Sequence, residues 1–467
     1  MIQTGPESSL AALPQPVIQR TVQRLSTIKR GTIFDREGNI LVDDQGISGD
    51  YERIYRDPSL AHVLGYTSAL RTGVSGLEET YNDTLFGYNR PETEIDRMLH
   101  RSYEGSDLVL TIDPDIQRAS TEALAGRAGA VVVLDGKTGA VLALTSAPTY
   151  DPNRLLEEGY ISTLSQGALI NRATQGLYTP GSIWKTVTMI AALDTGQATP
   201  ETVFDFGEPR VGEDGSIYYV YEVDGGVIPD SNHKERQLDL TMSYAYSANA
   251  AFAKLGDEMN PDVLIDYASR LGFSAKDYTS RFPFELPVGE PQLANDVNSI
   301  RNNNLLRAST GFGQGELLTT PINMAMVVES ILNNGSIPLP YFVESILAPG
   351  GRVIRKQANK HQVPGIMKAE TARQAKEIMT AMVQKLAGGE SFIGYKDVVM
   401  GMKTGTAQVG GDLLPHSWLI GFAEKGSRSV VVVVFLEHGG GSHAAIPFFQ
   451  QVSRAAIAKY LMQDAKP

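Results

Sequence analysis

"GAVVVLDGKTGAVLALTSAP", residues Gly129–Pro148, holds two apolar, β-branched runs separated by Asp-Gly-Lys-Thr-Gly. Runs of this length bounded by turn residues read as a β-hairpin. Three more strand candidates lie far downstream: "DVVMGMKTGTAQV" (Asp397–Val409), "HSWLIGFAE" (His416–Glu424) and "SRSVVVVVFLEHG" (Ser427–Gly439). Between them and the hairpin the chain reads as mainly helical to about residue 385, and a helix from about Ala444 closes it. Strands at both ends of a helical region predict one antiparallel sheet with a helical insertion, an α+β layout.

Upstream of the hairpin the chain is polar and broken into short strand-like pieces such as "GTIFDREGNILV" (Gly31–Val42), in which "DREGN" reads as a turn. Polar "RSYEGSD" (Arg101–Asp107) is the expected boundary, followed by strand-like "LVLTI" and a helix from about Pro114. A length of 467 residues predicts at least two domains, placed at 1–105 and 106–467. Hydrophobic residues at 42% and charged ones at 20% describe a folded globular chain. A net charge of −12 argues against a nucleic-acid surface. The absence of cysteine excludes disulfides, thiolate metal sites and a cysteine nucleophile. The seven histidines form no HExxH pair, so a zinc hydrolase has little support. No run reaches the ~20 apolar residues needed to span a bilayer, and "MIQTGPESSLAALPQP" at the start lacks the pattern of a signal peptide. A membrane anchor, if the protein uses one, is expected to lie outside this sequence.

Three short motifs carry possible chemistry. In "LYTPGSIWKTVTMIAAL" (Leu177–Leu193), Ser182 starts an almost wholly apolar helix and Lys185 follows at i+3, on the same face. Burial disfavours an ammonium, and a neutral Lys185 could take the Ser182 proton. Taken alone, the pair reads better as an N-capping serine and a snorkelling lysine. In "SYAYSANAAFAKLG" (Ser243–Gly256), Ser247 and Asn249 stand two apart in an apolar setting, and alone read as a polar break between helices. In "GMKTGTAQV" (Gly401–Val409), Lys403, Thr404, Gly405 and Thr406 would offer a cation, hydroxyls and backbone N–H groups on a strand edge. Gly405 would let a ligand approach the backbone closely. A second Lys-Thr-Gly, Lys137–Gly139, falls in the hairpin turn and is assigned to turn chemistry.

The order S-x-x-K, S-x-N, K-T-G is that of penicillin-binding proteins and class A β-lactamases. The chain resembles class B penicillin-binding proteins, the peptidoglycan D,D-transpeptidases, well beyond these motifs. "RGTIFDREGNIL" (Arg30–Leu41) and "HVLGYTSALRTGVSGLEETYNDTLFG" (His62–Gly87) are similar to the family's N-terminal module. "LTIDPDIQ", "ALTSAPTYDPN", "NRATQGLYTPGSIWK", "GFGQGELLTTPINMA" and "KTGTAQ" followed by "HSWLIGFA" are similar to its catalytic domain. The resemblance implies a strand-rich N-terminal pedestal or dimerisation-type domain. It also implies a transpeptidase domain with a five-stranded antiparallel sheet flanked by helices, plus an all-helical subdomain. Ser182 would be the acylated nucleophile and Lys185 its base. Ser247 and Asn249 would pass a proton to the leaving amine and bind the peptide amide. Lys403 would set the local field, while Thr404 and Thr406 would grip the substrate carboxylate. The backbone N–H groups of Ser182 and Thr406 would form an oxyanion hole. Implied partners are peptidoglycan stem peptides on lipid II-derived glycan, β-lactam antibiotics, a SEDS-type membrane glycan polymerase and other elongation or division proteins. The implied place is the extracytoplasmic face of the bacterial plasma membrane, and no cofactor or metal is implied.

Two residues depart from the family pattern as expected here: Met402, where many relatives have glycine, and a large Trp184 inside S-x-x-K. Packing beneath the site is the favoured reading of Met402. A β-lactamase would need a water-activating glutamate, and Glu285 in "FELPVGE" has glycine, not asparagine, four residues on. A D,D-carboxypeptidase differs only in the acyl acceptor, and a penicillin-sensing module would be acylated without turnover. His416, His438 and His443 read as structural, and Asp151, Asn153 and Arg172 as scaffold hydrogen-bonders near the site.

Overall fold

The computed structural model describes residues 28–68, 73–88, 90–99, 104–357, 361–387 and 392–462. The N-terminal sixteen residues read above for a signal peptide lie outside them, as do Arg101–Tyr103. The chain forms two compact units. The first takes residues 1–114, 149–169 and 341–358, and the second takes 115–148, 170–340 and 359–467. The N-terminal unit is thus discontinuous: besides residues 106–114 it takes two separate segments that lie within the expected 106–467 domain.

The first unit is organised on a six-stranded sheet, in the order Val353–Lys356, Val343–Leu347, Asp107–Leu110, Ile33–Phe34, Ile40–Ile47, Asp50–Tyr55. Its "DREGN" turn is held by Asp35, whose Oδ1 accepts from the N–H groups of Glu37 and Asn39 at 2.8 and 2.9 Å. Gly38 there has φ 88°, a conformation that favours glycine. Glu78 is wholly buried and is met by Arg30 at 2.5 Å and Arg53 at 2.7 Å, and Arg53 also reaches Asp44 at 3.1 Å. Burial alone would raise the Glu78 pKa, but the two guanidinium groups outweigh it and hold the carboxyl below its ordinary range.

The second unit is built from β1 (Gly129–Asp135), β2 (Val141–Ala147), α1 (Lys185–Thr195), α2 (Leu240–Ala245), α3 (Asn249–Glu258), α4 (Pro321–Leu332), α5 (Ala369–Ala387), β3 (Val399–Ala407), β4 (His416–Lys425), β5 (Arg428–Leu436) and α6 (Ile446–Ala456), with shorter pieces between. The five strands make one antiparallel sheet in the order β3-β4-β5-β1-β2. β1, β2 and nearly all of β5 are buried along their length, which is why they read as continuous apolar runs without alternation. α4 and α6 pack against the sheet and α5 along β3. The β1–β2 turn is closed by Asp135, which accepts from Lys137 N at 3.0 Å and Thr138 Oγ1 at 2.6 Å. This copy of Lys-Thr-Gly is turn chemistry, with Lys137 Nζ on the Leu332 carbonyl at 3.0 Å.

The expected all-helical insertion is not what forms. Five strands lie within residues 203–239, pairing as one three-stranded and one two-stranded sheet: Val203–Asp205, Arg210–Val211, Ile217–Val223, Gly226–Asp230 and Gln237–Asp239. "IYYVYEV" is rich in β-branched and aromatic residues, and this local preference prevails over the helical setting around it.

Candidate active site

Ser182 lies in a tight 3-10 turn, Gly181–Trp184, that leads directly into α1. Residues Lys185–Asp194 of α1 are all buried, and Gly196 ends it at φ 75°. The turn is keyed into strand β3. A Cβ on Gly181 would lie 2.3 Å from the Thr406 carbonyl oxygen, and one on Gly313 would lie 1.8 Å from the Gly181 carbonyl oxygen. Only glycine permits these approaches, and at Gly181 φ is also positive at 59°.

Ser247 occupies the break between α2 and α3, and Asn249 is the first residue of α3. Ser247 has φ 61°, unusual for a residue with a Cβ, and persists because its surroundings hold it. Its carbonyl oxygen accepts from Lys185 Nζ and from Asn232 Nδ2, both at 2.7 Å. Lys185 Nζ is the hub: it lies 3.0 Å from Ser182 Oγ, 3.0 Å from Ser247 Oγ and 2.8 Å from Asn249 Oδ1. Four oxygens surround a group with three hydrogens when charged, and with two hydrogens and a lone pair when neutral. In the neutral form the lone pair can receive a hydroxyl proton.

The electrostatics favour that form. Burial pushes the Lys185 pKa down to about 7, with the negative charge of Asp230 pulling the other way. Lys403 is also fully buried, with Nζ 5.3 Å from the Tyr244 ring centre. Burial, and secondly the nearby Lys185, hold its pKa well below the ordinary lysine value.

A cavity of about 820 Å³ opens over Ser182, Ser247, Asn249, Thr404 and Thr406. The period-two geometry of β3 divides its residues: Thr404 and Thr406 line the cavity, while Lys403 lies beneath it. Gly405 is closely packed on one side. Space for a Cβ there is taken by Ile183 Cγ2 at 3.0 Å, Pro180 O at 3.1 Å and Trp418 Cβ at 3.2 Å. On its Cβ side Gly405 is approached by the nucleophile's own turn, so glycine is needed there for packing.

Met402 is wholly buried beside the bare Cα of Gly421, so it packs as expected. Trp184 is likewise buried, edge-on to Phe273 at 4.7 Å. His416 is buried, and burial followed by His438 pushes its pKa down to about 4. His443, in contrast, lines the cavity. Asp151 and Asn153 belong to the first unit, where Asn153 exchanges hydrogen bonds with the Tyr55 backbone at 2.9 and 2.8 Å. They are scaffold hydrogen-bonders of that unit. Arg172 pairs with Glu437 at 2.7 Å. Asn232, Tyr246, Gln314 and Gln408 also line the cavity and are not among the candidates; Asn232 and Gln314 are distant in sequence from the three motifs. Tyr246 and Gln408 lie inside the stretches that hold Ser247 and Thr406, where the only signal is that adjacency.

A family model described as the penicillin binding protein transpeptidase domain matches residues 129–462. The peptidoglycan D,D-transpeptidase PbpA of Mycobacterium tuberculosis is 29% identical over 436 residues, covering 87% of this chain and 84% of that protein. The peptidoglycan D,D-transpeptidase MrdA of Escherichia coli is 28% identical over 437 residues, covering 86% and 67%. Among solved structures, a penicillin G acyl-enzyme complex of penicillin-binding protein A from M. tuberculosis superposes with a TM-score of 0.77 at 28% identity, covering 92% of this chain and 99% of that one.

Proposed function

This chain belongs to the penicillin-binding protein transpeptidase family, in its class B branch, and from that premise we propose that it is a peptidoglycan D,D-transpeptidase working through a serine acyl-enzyme. The observation that carries the reading is the position of Lys185 Nζ, 3.0 Å from both Ser182 Oγ and Ser247 Oγ on the floor of an open cavity.

Lys185 in its neutral form takes the Ser182 proton as Oγ attacks the carbonyl carbon of the penultimate D-alanine. Negative charge develops on the carbonyl oxygen, where backbone N–H groups of Ser182 and Thr406 stabilise it. Collapse breaks the C–N bond, and Ser247 passes a proton to the departing amine, releasing terminal D-alanine. Asn249 holds the peptide amide, and Thr404 and Thr406 bind the terminal carboxylate. Lys403 beneath them contributes to the field. An amine of a neighbouring stem then attacks the ester, forms the cross-linking amide and returns a proton to Ser182 Oγ. Splitting the exchange in two uses the same base twice. A β-lactam carbonyl meets the same nucleophile and leaves a stable acyl-enzyme.

We also place the enzyme on the extracytoplasmic side of the bacterial membrane, with a SEDS-type glycan polymerase as partner. The family resemblance supports both. Among the described residues no helix is long and apolar enough to cross a membrane.

A pentapeptide donor with an amine acceptor is expected to yield free D-alanine and cross-linked product together. Hydrolysis without cross-links would replace the reading by a D,D-carboxypeptidase, and acylation without release would replace it by a penicillin sensor. With Lys185 titrating at about 7, the rate of labelling by a fluorescent penicillin should fall about tenfold per pH unit below that point and level off above it. A flat profile from pH 5 to 9 would remove the neutral-lysine base.

A further inference from the structure

The strand Gly226–Asp230 ends in "PDSNH" (Pro229–His233), a stretch that none of the three motifs includes. Asp230 is wholly buried, an expensive place for a carboxylate unless its oxygens are satisfied. Oδ2 accepts from the Ala250 N–H at 2.8 Å, and Oδ1 from the Asn232 N–H at 3.2 Å. Ala250 is the second residue of α3, whose own N-cap, Ala248, has no side chain able to cap it. A carboxylate brought in from another strand therefore caps the helix that presents Asn249, at the end where the helix dipole favours negative charge.

The same segment reaches the nucleophile's base by two routes. Two residues on, Asn232 donates Nδ2–H to the Ser247 carbonyl at 2.7 Å, the oxygen that Lys185 Nζ also engages. It thereby helps to hold Ser247 at its positive φ. The Asp230 charge also acts on Lys185 through space and opposes the effect of burial. His233 packs beside Asp230, its Nε2 3.5 Å from Oδ2. That ring is stacked on Tyr219 at 5.2 Å, with Nδ1 on the Glu235 carbonyl at 2.9 Å.

We propose that residues 230–232 are a positioning device for acylation: Asp230 seats α3 and sets the field at Lys185, and Asn232 holds the Ser247 backbone. Neither side chain needs to touch substrate for this. The groups facing Lys185 are Asp230, Lys403 and the Phe252 ring at 5.7 Å, and those facing Asp230 are His233 and Lys185. Removing the Asp230 charge leaves the effect of burial on Lys185 unopposed, so its neutral form is favoured further. Removing Asn232 leaves that balance alone but loosens Ser247.

The proposal rests on the acyl-enzyme reading of Ser182, and labelling of the unmodified protein by a fluorescent penicillin tests that reading by itself. In Asp230→Asn, which keeps an oxygen for the Ala250 N–H, the acid limb of the labelling rate should move to lower pH by about one unit or more. In Asn232→Ala the limb should stay in place and the plateau rate fall about tenfold. Melting curves of both variants separate these effects from unfolding. Wild-type midpoint in Asp230→Asn together with wild-type plateau in Asn232→Ala would overturn the proposal and leave the acyl-enzyme reading standing. No labelling of the unmodified protein would overturn both.

Discussion

Ser182→Ala loses covalent labelling by a fluorescent penicillin, to background, while its melting curve stays close to that of the parent chain. The expected loss is on the order of 10⁴-fold or more, because a methyl group offers no lone pair to form the ester. The fold has little stake in the hydroxyl: the turn Gly181–Trp184 is held by backbone bonds and close glycine packing, with no side-chain cap from Ser182. The experiment has a built-in rival. Ser247 Oγ lies as near Lys185 Nζ as Ser182 Oγ does, 3.0 Å in each case. Labelling that persists in the variant, with the adduct mapped to Ser247, would transfer the nucleophile's role there. Ser182 is preferred because it lies in the turn leading into α1, at the end of the helix where the dipole favours developing negative charge, whereas Ser247 is tied at a left-handed break.

Lys185→Met is expected to lower the acylation rate by about 10³-fold and, below neutral pH, to raise the melting temperature. Methionine matches the lysine stem closely and needs no hydration. The Ser247 carbonyl keeps Asn232 as a donor, while Ser182 Oγ, Ser247 Oγ and the Asn249 amide oxygen lose the lysine. Of these the hydroxyls can turn to cavity water, and the amide oxygen is left short of a donor. That loss costs about 1–3 kcal/mol. Against it stands the burden of a buried ammonium. The lysine titrates at about 7 in the folded chain and 10.5 when exposed, so between those values the unfolded chain binds more protons. Wild-type stability therefore rises with pH across that window, and the burden is fully present below it. It amounts to a few kcal/mol. The advantage of Lys185→Met should be largest at pH 6 and shrink by pH 9. A difference in melting temperature that does not change with pH would mean that folding leaves the Lys185 charge state unaltered.

Much of the site was legible because its residues come in short local patterns. Ser182 and Lys185 share a helix face by spacing alone, and the apolar run after them announces a buried helix. β1, β2 and β5 were plain from composition, since strands buried along their whole length show unbroken β-branched runs. What could not be read locally depends on long-range pairing. Val343–Leu347 joins the first unit by pairing with Asp107–Leu110, more than two hundred residues earlier, and nothing in either stretch names the other. Asp230 and Asn232 matter through Ala250 and Ser247, which a surface hairpin brings to them. The packing role of Gly405 was also out of reach, because Ile183 and Pro180, which crowd its Cβ side, lie more than two hundred residues away in sequence. The strands within 203–239 were hidden by aromatic residues on both faces, which blur the alternation that marks a half-buried strand.

The order of strands in the central sheet has a consequence for synthesis. β1 pairs on one side with β2, a few residues on, but on the other with β5, about three hundred residues later. At ribosomal rates that interval is roughly 15–60 s. During it the nucleophile and its base exist, but β3, against which their turn is packed, has not been made. A nascent or C-terminally truncated chain thus carries Ser182 and Lys185 without the strand edge that arms them. Both the strand that packs against the nucleophile's turn and the strand that pairs with β1 arrive only with residues 399–436.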